Sequence, residues 1–268
     1  MPLTTIKFKE SLVEKNKLFK YINKRYTDRS LYLPISIDGK LLDRLESYNK
    51  NNSYCTVRAK SGLLSKSTTR YLSQADNFLW TYKKARDDFY SWYRVSGRNY
   101  SKNRDGLFSK HLALSFPEKV ISNLFVTSEI LRDAIAPLIG YIAVKKAKKQ
   151  YNSSSLFLIF SIKNGSEEKR AIVELGRLAA RCWLELAKEE IAVQPMSQGV
   201  MPLLALRLKG DNIDLPVKVK ELLFKGIDFL SEEFKLSVDE TPFWLFRCGK
   251  SSLRDKNVVT LRREDYLS

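Results

Sequence analysis

Histidine is almost missing from this 268-residue sequence, with His111 alone in the row Ser-Lys-His-Leu-Ala-Leu-Ser. One imidazole without an evident nucleophile beside it argues against Ser-His-Asp or Cys-His catalysis. Cysteine is scarce too: Cys55, Cys182 and Cys248 stand far apart, with no Cys-x-x-Cys pair. Neither a disulfide framework nor a zinc site fits, so no metal is expected and the three thiols read as small reduced hydrophobes. No run approaches the roughly 18 consecutive apolar residues of a spanning helix. The first twenty residues scatter five lysines through what would have to be a signal core, so a cytoplasmic protein with no membrane segment is the expectation. Neither G-x-G-x-x-G nor G-x-x-x-x-G-K-[S/T] occurs, so a nucleotide phosphate would have to be met by side chains. Gly/Ser-rich and Pro-rich linkers and internal repeats are missing as well, which favours one domain over residues 1–268.

Against these gaps, 44% of residues are hydrophobic and 29% charged, the composition of an ordinary folded chain. The unusual quantity is a formal net charge of +17. Residues 1–110 hold 23 Lys and Arg against 10 Asp and Glu, whereas residues 111–268 hold 24 against 20, so the excess is N-terminal. Such a half suits nucleic acid, an anionic cofactor or an acidic protein partner, or serves solubility alone. The stretch 81–110 interleaves Tyr82, Phe89, Tyr90, Trp92, Tyr93 and Tyr100 with basic residues. That is the composition of a base-stacking groove, and equally of an amphipathic helix with its aromatic side buried; the helical spacing from Phe78 to Tyr93 favours the helix.

Periodicity predicts helices over 8–26, 41–48, 68–93, 128–150, 171–189 and 217–234, with Asp38 as N-cap of the second and Pro137 inside the fourth. Extended segments are predicted over 54–57, 155–162 and 242–248, the second closed by Asn164-Gly165, and residues 191–200 read as helix-poor. The pattern is that of an α+β chain. Helix 171–189 is apolar around so much of its circumference, with small Gly176, Ala179 and Ala180, that it suits the centre of the core or an oligomer interface.

Arg25-Tyr26-Thr27-Asp28-Arg29 sets two guanidinium groups and a hydroxyl at alternate positions, which on an extended chain point to one side and suit a phosphate and a polar ribityl chain. A basic residue, Ser or Thr, and a basic residue at this spacing, followed by an extended step and a short helix, resembles the N-terminal motif of the FMN-dependent nitroreductase family. Residues 92–115, with Trp92-x-Arg94 and Arg104-Asp105-Gly106-Leu107, resemble the longer middle region of that family's divergent branch, which includes flavin-sequestering proteins and modules fused to ThiF-type domains. Residues 176–199 are similar to the family's central helix and the loop after it, with Glu190-Ile191 where Gly-Leu is usual. Phe246-Arg247-Cys248-Gly249 and Leu261-Arg262-Arg263 resemble the last core strand and the C-terminal basic element.

The resemblance implies an α+β nitroreductase-like fold, a central mainly antiparallel sheet flanked by helices, with residues 50–115 as an extended, lid-like insertion. It implies bound FMN, with Arg25, Thr27 and Arg29 on its phosphate and ribityl and Arg262 or Arg263 closing from the C-terminal side. Pro195, Met196, Ser197 and Gln198 would lie along the isoalloxazine, and Asp105 and Gly106 over the substrate pocket. The activity implied is hydride transfer between a reduced donor, NAD(P)H, and an organic small-molecule substrate, in a homodimer. Two other readings stay open: a flavin-binding protein or partner subunit that sequesters FMN without turnover, and a basic nucleic-acid-binding protein.

Overall fold

The computed structural model describes residues 17–94, 107–108, 118, 120–121, 128–209 and 215–252. Four strands form an antiparallel sheet in the order β1-β4-β6-β5: β1 (Cys55–Ser61), β4 (Leu156–Lys163), β6 (Glu240–Gly249) and β5 (Ala192–Met196). Two short strands, β2 (Tyr93–Arg94) and β3 (Leu107–Phe108), pair with each other in parallel. The α+β class and the antiparallel sheet flanked by helices are thus as the sequence indicates.

The continuous apolar run of β4 is explained by its position, because helices cover both faces. Leu156, Leu158, Phe160 and Ile162 enter one cluster and Phe157 and Ile159 the other, as the two-residue period of a strand requires. The first cluster is closed by α1 (Gly39–Ser47) and α5 (Glu168–Lys188), the second by α2 (Lys66–Thr81), α6 (Met201–Lys209) and α7 (Val217–Phe234). All three cysteines are buried and unpaired in the first cluster. The β4–β6 register shifts by one residue at Phe243, beside Pro242, where a strand tolerates proline.

Asp38 caps α1 by accepting from the Lys40 amide at 3.0 Å, and Ser65 caps α2 by accepting from the Thr68 amide. The helix expected over 68–93 is two helices, α2 and α3 (Lys83–Trp92), broken at Tyr82 with ψ 112°. Arg86 of α3 donates to the Trp80 carbonyl at 2.8 Å and pairs with Asp133 of α4 (Glu129–Asn152), satisfying the end of α2 at the break. The helix expected over 8–26 is, within the described residues, only a 3-10 turn, Phe19–Lys24, after which the chain is extended. The helix-poor stretch contains β5, and the α6 that follows it has no counterpart among the helices expected from periodicity.

The end of α5 carries local strain. Ile191 donates to the Leu186 carbonyl at 2.9 Å and Glu190 to Ala187 at 3.3 Å, the paired bonds of a Schellman cap, which puts Glu190 at φ 56°. A side chain there costs roughly 1 kcal/mol against glycine. Glu190→Gly is therefore expected to raise stability by about 0.5–1 kcal/mol, read as a higher urea midpoint with unchanged slope. A lower midpoint would mean that the Glu190 side chain contributes more than its backbone costs.

Candidate functional site

Residues 25–29 form an extended flap along the open edge of β5. Thr27 bridges to Val193 in parallel, and the Asp28 amide donates to the Val193 carbonyl at 3.0 Å. Alternation then sends Thr27 and Arg29 to one side, where both line a cavity, while Asp28 turns inward. Asp28 Oδ1 accepts from the Ser30 amide at 2.8 Å, and Tyr32 donates its hydroxyl to the Asp28 carbonyl at 2.7 Å, so the flap is closed by its own next turn.

Beneath the flap lies Arg247, the largest fully buried side chain among the described residues. It sits opposite Gln194 in the β5–β6 register and donates Nε and Nη2 to Gln194 Oε1 at 2.8 and 2.6 Å. Nη2 also donates to the Ser30 carbonyl at 2.7 Å, and the guanidinium lies 4.1 Å above the Tyr32 ring. Gln150 of α4 donates to the Arg29 carbonyl at 2.8 Å. Flap, β5, β6 and α4 thus meet at one buried cation. Because a guanidinium only donates, the Gln194 atom facing it is the oxygen, and the amide nitrogen of Gln194, itself on the cavity wall, is left as a donor to an occupant. Burial lowers the pKa of Arg29 and Arg247, and the Arg247 charge lowers that of Arg29 further across the flap. An anion bound beside Arg29 relieves that repulsion.

The cavity has a volume of about 390 Å³, within the range of small-molecule and cofactor sites. Thr27, Arg29, Gln150, Gln194 and the segment Pro195 to Gln198, the end of β5 and the two residues after it, line one side. Trp80 of α2 and Phe89 and Tyr90 of α3 make an aromatic wall, with Trp80 and Phe89 edge to face at 5.2 Å. Ile139, Ile142 and Ala143 of α4 extend it, and Lys146 is ion-paired with Glu118 at 3.2 Å. Phe89 and Tyr90 of the aromatic-rich segment thus lie on a helix, as their spacing indicates, and line the cavity.

Asp76 of α2 also lines the cavity. Its Oδ2 is sealed from solvent and has no hydrogen-bond partner, although the residue as a whole is only partly buried. Burial pushes this carboxyl up to about 7, because the charged form has lost water without gaining a donor. The end of the 195–199 loop packs against the same turn of α2. A Cβ on Gly199 would stand 2.9 Å from the Leu72 side chain and 3.2 Å from Ala75. Tyr71 donates its hydroxyl to the Gly199 carbonyl at 2.5 Å, in the space left by Gly226 of α7, where a Cβ would strike the Tyr71 ring.

Of the residues singled out in the sequence, the structure brings Thr27, Arg29, Pro195, Met196, Ser197 and Gln198 into this one cavity. Arg25 is turned away from it, its guanidinium 4.3 Å above the Trp183 ring of α5. Asp105, Gly106, His111, Arg262 and Arg263 lie outside the described residues. The segment 50–115 contributes β1, α2 and α3, the sheet edge and two cavity walls, within its described part. Sequence reasoning missed Asp76, Gln150, Gln194 and the site role of Arg247. The usable signal was a charged or amide residue inside an otherwise apolar element, Arg247 in Pro-Phe-Trp-Leu-Phe-Arg-Cys and Gln194 in Ala-Val-Gln-Pro-Met, whereas Asp76 stands in the largely polar helix Lys66–Thr81 and gives no such signal.

No protein-family model matches the chain, and no curated protein matches it. Among solved structures, it is similar to an FMN and NADPH-dependent nitroreductase, NfnB, from Sphigopyxis sp. strain HMH, at 11% identity over 88% of this chain and 89% of that one, TM-score 0.45. It is similar to a nitroreductase with bound FMN from Desulfitobacterium hafniense DCB-2, at 12% identity over 92% and 98% of the two chains, TM-score 0.45. The FMN-dependent nitroreductase NfnB from Mycobacterium smegmatis in complex with NADPH shares 12% identity over 87% and 86%, TM-score 0.43. These scores all lie below 0.5.

Proposed function

We propose that the chain is an FMN-dependent oxidoreductase of the nitroreductase type, with the flavin held in the cavity between the 25–29 flap, β5 and α2. The observation that carries this reading is the convergence, from distant parts of the sequence, of Thr27 and Arg29 with residues 195–198 in one cavity of cofactor size. Arg29 and Thr27 meet the phosphate and ribityl, with Arg247 adding positive potential from beneath. Gln194 donates from its amide nitrogen, the 195–198 backbone lines the ring, and Trp80, Phe89 and Tyr90 exclude water from its flat face. When bound, FMN supplies hydride transfer, with NAD(P)H as donor and a small organic molecule as acceptor. A homodimer is part of the proposal: the outer face of α5 leaves Val173 55% exposed and Gly176 open, with nothing within 4 Å of where a Cβ would stand, a surface that a second copy can cover.

The test is a visible absorption spectrum after incubation with FMN and gel filtration. About one flavin per chain is expected, bleached by NAD(P)H, and Arg29→Ala is expected to weaken FMN binding by about 10–100-fold, the loss of one charge-assisted contact. Flavin retained but never reduced would identify a sequestering protein instead. No retained flavin overturns the reading and directs attention to the basic N-terminal half and nucleic acid, whose binding would weaken steeply with salt.

A further inference from the structure

Asp76 has no part in the reading above, and its surroundings set it apart from every other cavity-lining group. Its Oδ2 is sealed and unpartnered, and among the described residues no ammonium or guanidinium group hydrogen-bonds to its carboxyl. A carboxylate in that setting has lost water on one oxygen and gained nothing, whereas a protonated carboxyl needs no counter-charge and carries one O–H donor. Asp76 is only partly buried as a residue and is one of those lining the cavity, on the helix against which Gly199 packs through Leu72 and Ala75. We propose that Asp76 donates a hydrogen bond to a neutral acceptor atom, a carbonyl oxygen or an unprotonated ring nitrogen, of the planar heterocycle in this cavity, so that binding requires a proton on Asp76. The proposal rests on the flavin reading of the cavity for its ligand class.

The charged and titratable groups around this wall are few. Lys146 of α4 faces the cavity with Glu118, and Arg29 faces it from the flap. Behind the wall stand Tyr71, Tyr151 and Arg247, both tyrosines pushed up by burial, and Arg86 with Asp133 lies at the junction of α3 and α4. The burial of the Asp76 carboxyl puts its ionisation at about 7, inside the ordinary working range, with desolvation as its cause.

Riboflavin is the appropriate probe, because it shares the ring of FMN and lacks the phosphate that itself titrates near pH 6. Its affinity, read by fluorescence quenching across about pH 5.5 to 8.5, is expected to fall by about tenfold per unit once Asp76 ionises. In Asp76→Asn, whose amide keeps an N–H donor at every pH, the profile is expected to flatten while affinity at low pH changes by less than about threefold. In Asp76→Leu, with the fold checked by circular dichroism, affinity is expected to be weak, by about tenfold, at low pH as well. Riboflavin affinity in the parent that is flat or rises with pH overturns the inference and leaves the flavin reading standing, since an ionised Asp76 would then be accepting rather than donating. Absence of both riboflavin and FMN binding at every pH overturns the two together.

Discussion

Arg247→Ala is expected to cost about 3–5 kcal/mol of folding stability. Three separate deficits add. The Gln194 oxygen loses both of its donors and the Ser30 carbonyl loses one, and each buried acceptor left unpaired costs about 1–3 kcal/mol. The Tyr32 ring loses the cation packed 4.1 Å above it, and the void left behind lies in a fully buried position. The inward-turned Asp28 loses the positive charge of Arg247, with which it interacts across the flap. Arg247→Lys is not a conservative control, because one ammonium cannot reproduce the forked contact to a single amide oxygen and a carbonyl. The informative partner is Gln194→Leu. With both polar groups removed, Arg247→Met with Gln194→Leu is expected to recover at least half of the stability lost in Arg247→Met alone. Urea denaturation of the single and double variants measures this. A loss below about 1 kcal/mol for Arg247→Ala would show that water replaces the guanidinium at little cost, and that the flap is not held from beneath.

How much of this site is readable in the sequence follows from how each residue is held. Thr27 and Arg29 are legible because their contribution is local: alternate positions of an extended segment face one way whatever lies across from them. Arg25 obeys the same alternation in sequence, yet the turn Phe19–Lys24 ends beside it and Trp183 offers a ring, so it packs on α5 instead. The β4 run is plain from periodicity because it is buried along its length, and helix α5 because one of its faces is. By contrast, β5 is five residues with a proline in it, and its strand character comes from pairing with β6 and from the flap, both far away in sequence. The break at Tyr82 depends on Arg86 reaching Trp80 and Asp133, another arrangement invisible to a helical period. Glu190 adopts φ 56° because the Schellman cap of α5 requires it, an arrangement no periodicity reveals.

Asp76→Asn is expected to make the apo-protein more stable at neutral pH while leaving it unchanged near pH 4, an effect of up to about 4 kcal/mol that depends on pH rather than on packing. In the folded chain the carboxyl ionises at about 7, whereas in the unfolded chain it ionises at its ordinary value of 3.8. Between those two values the unfolded chain has lost this proton and the folded chain has kept it, so folding takes up a proton. Parent stability therefore falls by about 1.4 kcal/mol for each pH unit across that window, and the contribution is constant below 3.8 and above 7. Asparagine has nothing to titrate, so the difference between variant and parent grows through the same window and then levels off. Other carboxylates shape both curves equally and cancel in the difference. Urea midpoints of both proteins at intervals of half a unit from about pH 4 to 8 measure it. A difference that does not change with pH would mean that Asp76 is ionised throughout, with a donor supplied from elsewhere in the folded chain. A difference that grows as expected gives the cavity a carboxyl that is neutral in its resting state, which a ligand offering an acceptor stabilises and a ligand offering a donor does not.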